Sequence, residues 1–197
     1  MKNLNKWLLA FACAVLCCGV TSCGDDDDDN NQNNNGNGGT KQFQYVAYTS
    51  TDMVAAADVE VTYTDLATGK DVTRVLTAAD NSFNQTTDYW GKLWTNMPSQ
   101  FNFAKTFRFA SPVFTVANGT AYKMTMTVKE NKAKVEAYKN SNTEFYNTSF
   151  LSAYLDNSPV NDMALGMSVI DKMDNLEPYL QSLIYGKTKT LSGTASW

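Results

Sequence analysis

The sequence predicts a mainly β protein: an antiparallel β-sandwich of the immunoglobulin or fibronectin kind, with one or two short helices in its C-terminal third. Three observations carry this prediction. Apolar and polar residues alternate along several short segments between residues 41 and 139, which is the period of a half-buried strand. Turn residues separate these segments at short intervals, as in sandwiches. After residue 170 the apolar spacing becomes that of an amphipathic helix.

The alternation identifies individual strands and one hairpin. Residues 58–64 and the segment DVTRVLT flank a turn at Gly69 and predict a β-hairpin. The residues expected to face the core from these and neighbouring segments are Phe43, Tyr45, Ala47, Val59, Val61, Tyr63, Tyr122, Met124, Met126 and Val128.

Three further segments fit the same pattern. FNFAKTFRF places Phe101, Phe103, Phe107 and Phe109 on one strand face. Asn118–Gly119 is a type I′ turn signal and predicts a hairpin between the segments on either side of it. In KAKVEAYK, residues 133, 135 and 137 are apolar and alternate with charged residues, which predicts another strand.

The C-terminal third carries the helical signals. Leu176, Tyr179, Leu180, Leu183 and Ile184 follow helical spacing, with Asn175 able to cap the helix and Gly186 able to end it. The run 141–144 fits a capping box for a second helix through residue 155, although FLSAYL within it also fits a strand. The segment TLSGTASW predicts a final strand.

Composition excludes several kinds of chemistry. The chain contains no histidine, so Ser-His-Asp and Cys-His hydrolases are excluded. The four cysteines, at positions 13, 17, 18 and 23, leave no disulfide or thiolate metal site in the body. From residue 40 onward there are 14 basic and 15 acidic residues, which are the 16 and 20 of the whole chain minus Lys2, Lys6 and residues 25–29. Such a body is not typical of nucleic-acid binding, and no metal or cofactor is expected.

The first 23 residues have the layout of an export signal. A basic start with Lys2 and Lys6 precedes an apolar stretch of 14 residues, 7–20, which is too short for a comfortable membrane span. The sequence VTSC, followed by GDDDDD, resembles the lipobox and acidic export signal of Bacteroidota surface-exposed lipoproteins. The resemblance implies removal of residues 1–22, a diacylglycerol thioether on Cys23, acylation of the new amine, and an outer-membrane location facing the cell exterior. The periplasmic face is the alternative.

The domain prediction follows from these features. Residues 1–22 form the signal peptide and 23–40 a lipid-anchored, disordered tether rich in Asp, Asn and Gly. Residues 41–197 form the sandwich body, with a potential subdivision near residue 140. The expected partners are the membrane, through the lipid on Cys23, and a glycan or an outer-membrane protein.

Aromatic residues in DYWGKLWT supply the candidate binding site. Tyr89, Trp90 and Trp94 could stack against sugar rings, whereas burial in the core is the competing interpretation. Catalysis could come only from carboxylates, and their spacing selects no pair. The candidate carboxylates are Asp88, Glu144, Asp156, Asp162, Asp171 and Glu177.

The function expected from these features is a non-enzymatic surface lipoprotein that binds a glycan or a partner in an uptake complex. The alternatives are a structural or adhesive assembly subunit and, third, a glycan-processing enzyme.

Overall fold

The computed structural model describes residues 39–84 and 102–197. Its strands are β1 (Thr40–Ser50), β2 (Asp58–Asp65), β3 (Lys70–Val75), β4 (Thr106–Ala110), β5 (Phe114–Ala117), β6 (Thr120–Lys129), β7 (Phe145–Leu155), β8 (Ser158–Ile170) and β9 (Thr188–Ala195). Its helices are α1 (Thr51–Ala56), α2 (Lys132–Ser141) and α3 (Leu176–Tyr179), and α3 continues as a π-helical turn, Leu180–Ile184. Two 3-10 turns, Ala78–Asp80 and Phe103–Lys105, precede β4.

The strands form two antiparallel sheets, so the predicted β-sandwich is confirmed. The first sheet has the order β4-β1-β7-β8, and β5 pairs with β1 on the same side as β4. The second sheet has the order β3-β2-β6-β9. Strands β3 and β4 therefore lie at the edges of different sheets, and so do β8 and β9.

The core lies between the sheets and is rich in aromatic rings. Tyr45 contacts both Tyr63 and Tyr122, at ring-centroid distances of 5.5 and 6.4 Å. Burial raises the pKa of Tyr45 to about 12, and its hydroxyl accepts a hydrogen bond from the Lys123 amide. All ten residues predicted to face the core are buried: Phe43, Tyr45, Ala47, Val59, Val61, Tyr63, Tyr122, Met124, Met126 and Val128.

Several predicted elements are confirmed. The β2–β3 hairpin turns at Gly69, which has a φ of 71°. The C-terminal helix buries Leu176 and Leu180, and the final strand is β9. Gly186, with a φ of 71°, follows this helix, as expected for a residue that ends it.

The predicted strand in KAKVEAYK is wrong, because this segment is helix α2. The Asn131 side chain caps it by accepting a hydrogen bond from the Lys134 amide at 3.2 Å. Its buried residues, Val135 and Tyr138, are three apart, which is helical spacing. The Lys134 ammonium also donates to the carbonyls of Val54 and Ala57 at the end of α1. The Lys, Ala and Glu residues of this segment have high helix propensity. Together with these contacts, they favour a helix over the strand that the short apolar alternation predicts.

The predicted second helix, from residue 141 through 155, is also wrong. Residues 145–155 form β7, which accords with the alternative interpretation of FLSAYL as a strand. Strand β7 lies between β1 and β8 and is buried on both faces except at Tyr154. A strand covered on both sides does not show polar alternation, so its pattern is not distinctive.

The turn at Asn118–Gly119 exists, but the predicted hairpin does not. Gly119 has a φ of 89°, and its amide donates to the Ala195 carbonyl. The strand before the turn, β5, pairs with β1 in the first sheet, whereas β6 after the turn pairs with β2 and β9 in the second. The chain therefore crosses between sheets at this turn.

The predicted phenylalanine strand is shorter than expected. Phe107 and Phe109 are buried in β4, but Phe103 lies in a 3-10 turn, and Phe101 lies outside the described residues.

Residues after position 140 contribute to both sheets. Strand β7 pairs with β1 over seven positions, and β9 pairs with β6 over eight.

Among the described residues, no helix has the length and apolar composition needed to cross a bilayer.

Candidate functional site

The predicted lipid attachment and aromatic site lie outside the described residues. Cys23 belongs to the segment 1–38, and Tyr89, Trp90 and Trp94 belong to the segment 85–101, as does Asp88. The prediction that these aromatic residues bind a glycan therefore stays a prediction.

Three of the candidate catalytic carboxylates, Glu144, Asp156 and Glu177, are found in ion pairs, whereas Asp162 and Asp171 are exposed. Asp156 lies 3.5 Å from the Lys41 ammonium, and Glu177 lies 3.8 Å from that of Lys139. The Lys105 ammonium contacts both Glu144, at 3.0 Å, and the buried Asp52, at 2.9 Å. The structure thus brings two carboxylates together, but a cation lies between them.

Asp52, Lys105 and Glu144 form what we call the Lys105 cluster, and its geometry suits a structural role better than catalysis. Burial alone would lower the pKa of Lys105, but hydrogen bonds to Asp52 and Glu144 raise it above its ordinary value, so the ammonium stays charged. The Asp52 carboxylate also accepts the Tyr146 amide at 2.8 Å. In a glycosidase the scissile bond lies between the two carboxyl groups, whereas here the Lys105 ammonium occupies that position. The cluster's hydrogen bonds instead connect α1 to the turn before β4 and to the start of β7.

An open groove of about 320 Å³ lies between the edge strands β3 and β4. We call it the Arg74 groove, and it is lined by Tyr63, Arg74, Asp80, Ser82, Phe109 and Pro112. This volume falls within the range of about 300–1,000 Å³ that is typical of small-molecule sites.

The pairing of β2 with β3 directs Arg74 toward the groove. Arg74 is opposite Val61, which faces the core, and paired residues of neighbouring strands share a face. Because β3 is an edge strand, the Arg74 side chain remains exposed at the opening between the sheets. Its neighbours on that face of the chain, Val72 and Leu76, are apolar and pack in the core.

The segment after β3 forms the side of the groove next to β4. The Thr77 amide and hydroxyl both donate to Oδ2 of Asp80, at 2.8 Å each. The Ser82 amide donates to the Arg108 carbonyl, and the Asn81 side chain accepts the Arg108 amide. These bonds fix the segment along the outer edge of β4.

The polar groups of the groove retain unused hydrogen-bonding capacity. Within residues 39–84 and 102–197, no group pairs with the Arg74 guanidinium, and Oδ1 of Asp80 accepts no hydrogen bond. The Ser82 hydroxyl donates to the Arg108 carbonyl and accepts from Nη1 of Arg108, which leaves one lone pair. The groove therefore offers a cation, a carboxylate and a hydroxyl to a ligand.

Burial raises the pKa of Tyr63, which forms part of the groove floor. The nearby charges of Arg74, which lowers this pKa, and Asp65, which raises it, have smaller effects. The phenol is therefore neutral at physiological pH and can donate a hydrogen bond. The Tyr63 and Phe109 side chains are both buried in the core, and their ring centroids lie 6.1 Å apart.

Two other depressions are less suited to a polar ligand. The first, about 330 Å³, lies beside α1 and has mostly apolar walls, and the Lys134 ammonium at its side is already bonded to Val54, Ala57 and Asp58. The second lies beside Asn147, whose Oδ1 is buried and without a partner among the described residues. Its volume of about 40 Å³ is enough for a few water molecules only.

No protein-family model, curated protein or solved structure matches this chain. Among the described residues there is also no group of three or more acidic, histidine or cysteine side chains that could hold a metal ion. The functional assignment therefore depends on the geometry of the site itself.

The sequence prediction missed the Arg74 groove. A signal was present in DVTRVLT, where Val72, Arg74 and Leu76 occupy alternate positions on one strand face. A single arginine in an apolar series that faces inward indicates an edge strand or a site. Asp80 and Ser82 come close to Arg74 only through the crossing from one sheet to the other, which the sequence pattern does not reveal.

Proposed function

We propose that this chain is a lipid-anchored protein of the outer membrane that faces the cell exterior and binds glycans without converting them chemically. The observation that carries the binding role is the Arg74 groove, where a guanidinium, a carboxylate and a hydroxyl surround a volume of about 320 Å³. Charged and hydroxyl groups with free hydrogen-bonding capacity match the dense hydroxyl groups of a sugar.

The non-enzymatic part of the proposal is supported by the acid and base groups available. The sequence has no histidine. Three of the candidate carboxylates, Glu144, Asp156 and Glu177, are paired with lysines. In the groove, Oδ2 of Asp80 accepts two hydrogen bonds from Thr77, which hold the carboxylate in place as an acceptor for sugar hydroxyls.

The location rests on the N-terminal sequence. Cys23 would carry the lipid, and the residues between Cys23 and the start of β1 at Thr40 would form a tether with a root-mean-square reach of about 20–25 Å. A flexible tether of that length would leave the groove accessible to ligands outside the membrane.

A glycan array probed with the full chain in detergent tests the function. We expect binding to at least one class of oligosaccharide, and Arg74→Ala should weaken it about tenfold or more, because a charged hydrogen bond contributes about 1.5–3 kcal/mol. Lys70→Ala is the matched control, because it removes the same charge from the other end of β3. Absence of binding to every glycan class would contradict the proposal.

The same measurement evaluates the aromatic site predicted from the sequence. If Trp90→Ala or Trp94→Ala abolishes binding while Arg74→Ala leaves it unchanged, glycan binding stands, but the Arg74 groove is not its site.

A second candidate function, that of a structural or adhesive assembly subunit, is favoured by β8. This strand of 13 residues lies at the edge of the first sheet. Val160 and Val169 on it are 48% and 49% exposed. Exposed strand edges can pair with another chain. Sedimentation velocity across a range of protein concentrations should show a monomer if binding is the main role, and self-association would favour assembly.

A further inference from the structure

We propose that the Arg74 groove recognises a sugar that carries an oxyanion, either a carboxylate or a sulfate, so that the ligand is an acidic glycan. This inference rests on the proposed glycan-binding function and specifies the chemical class of the glycan. It follows from the way in which donors and acceptors are distributed in the groove.

The wall formed by β2 and β3 supplies donors. Arg74 has a planar guanidinium that fits an oxyanion with two parallel hydrogen bonds, and no described residue pairs with it. Tyr63, on the adjacent strand, lines the same groove and adds a neutral hydroxyl. An oxyanion between these two groups would accept hydrogen bonds from both.

The side next to β4 supplies acceptors. Oδ1 of Asp80 remains available because both hydrogen bonds from Thr77 go to Oδ2. Ser82 keeps one lone pair beyond its two bonds to Arg108. These atoms suit the hydroxyl hydrogens of a sugar, and they would repel an oxyanion.

A neutral sugar would use only part of this arrangement. It could donate to Asp80 and Ser82, but it has no charge to pair with Arg74. An isolated oxyanion would satisfy Arg74 and leave the Asp80 carboxylate without a donor. A sugar that bears both hydroxyls and an oxyanion satisfies the two sides at once, and its ring C–H groups can contact Pro112.

A simpler explanation for Arg74 is that an inward-pointing charge on an edge strand prevents edge-to-edge association. Under that explanation lysine would replace arginine without loss, and ligand binding would not respond to the substitution. If Arg74 recognises an oxyanion, lysine would keep the positive charge but could not form the two parallel hydrogen bonds of a guanidinium. The Arg74→Lys variant therefore separates the two explanations.

The test is isothermal titration of the full chain in detergent with three probes. These are tetragalacturonate, its neutral methyl ester, and a sulfated tetrasaccharide derived from heparin. We expect at least one acidic probe to bind about 10- to 100-fold more tightly than the methyl ester. Whichever acidic probe binds identifies the source of the oxyanion.

Three variants complete the experiment. Arg74→Gln should abolish the preference for the acidic probe, Arg74→Lys should retain only part of it, and Lys70→Gln should retain all of it. The melting temperatures of the Arg74 variants should equal that of the wild type, because Arg74 is exposed and unpaired within the described residues.

The outcomes distinguish this inference from the proposed function. Equal affinity for the acid and the ester would overturn the acidic-glycan inference while leaving glycan binding intact. An acidic preference that survives in Arg74→Gln would overturn the assignment to Arg74. If none of the three probes binds and no glycan on the array binds either, the proposed function and this inference both fail. If only a neutral glycan on the array binds, the acidic-glycan inference alone fails.

Discussion

Replacing Asp52 with alanine should lower the free energy of unfolding by about 3 kcal/mol. Asp52 is 8% exposed, and its carboxylate accepts hydrogen bonds from the Tyr146 amide and the Lys105 ammonium. The substitution leaves a buried amide without an acceptor and a partly buried cation with Glu144 as its remaining carboxylate. Removing one partner from such a pair costs far more than the net contribution of an exposed one.

Urea unfolding of the Asp52→Ala variant, followed by circular dichroism, measures this effect. The matched control is Glu136→Ala, which breaks an exposed pair with Lys139 within α2. Its side chain is 58% exposed, so the expected cost is below about 0.5 kcal/mol. If both variants unfold within about 1 kcal/mol of the wild type, the Lys105 cluster does not stabilise the sandwich as described.

The Cys23→Ala substitution should abolish incorporation of labelled palmitate and release the protein from the membrane fraction. The hypothesis rests on VTSC behind a basic and apolar leader. A lipid attached through the sulfur of Cys23 cannot form on alanine, so the expected loss is complete.

The leader provides a matched control for this experiment. Cys18→Ala also removes a cysteine, but position 18 lies within the segment predicted to be cleaved. Labelling of Cys18→Ala should equal that of wild type. Equal labelling of Cys23→Ala and wild type would refute the lipid anchor.

The sequence predicts most clearly a strand that has one face in the core and the other in solvent. Tyr122, Met124, Met126 and Val128 alternate with polar residues because β6 faces the core on one side and solvent on the other. The β2–β3 hairpin was identified for the same reason, and Gly69 marks its turn.

The elements that the sequence did not predict depend on tertiary contacts. Strand β7 is buried on both faces, so the alternation is lost. Helix α2 has an alternating pattern over only a few residues, and contacts such as those of Lys134 with the end of α1 exist only in the folded chain. The Asn118–Gly119 turn is local, but which sheet each flanking strand joins is decided by distant strands.

The candidate site was predictable only in part. The sequence excludes histidine-based chemistry and suggests a binding role. Its pattern does not predict that Arg74, Asp80 and Ser82 line the same groove. That proximity arises because β3 and β4 are edges of different sheets that lie on the same side of the sandwich. An edge position follows from the complete strand order, which depends on pairings across more than 100 residues, such as that of Phe43 in β1 with Leu155 in β7.

If an acidic glycan binds at the Arg74 groove, side-chain nuclear magnetic resonance should detect the contact at Arg74 itself. The Nε–Hε signal of Arg74, assigned by its absence in Arg74→Gln, is followed in the full chain as the tighter-binding acidic tetrasaccharide is added. We expect this signal to shift in proportion to binding, with the indole signals of Trp90 and Trp94 unchanged. Saturating shifts of the two indole signals, with the Arg74 signal unmoved, would show that the ligand binds at the tryptophans and not at the Arg74 groove.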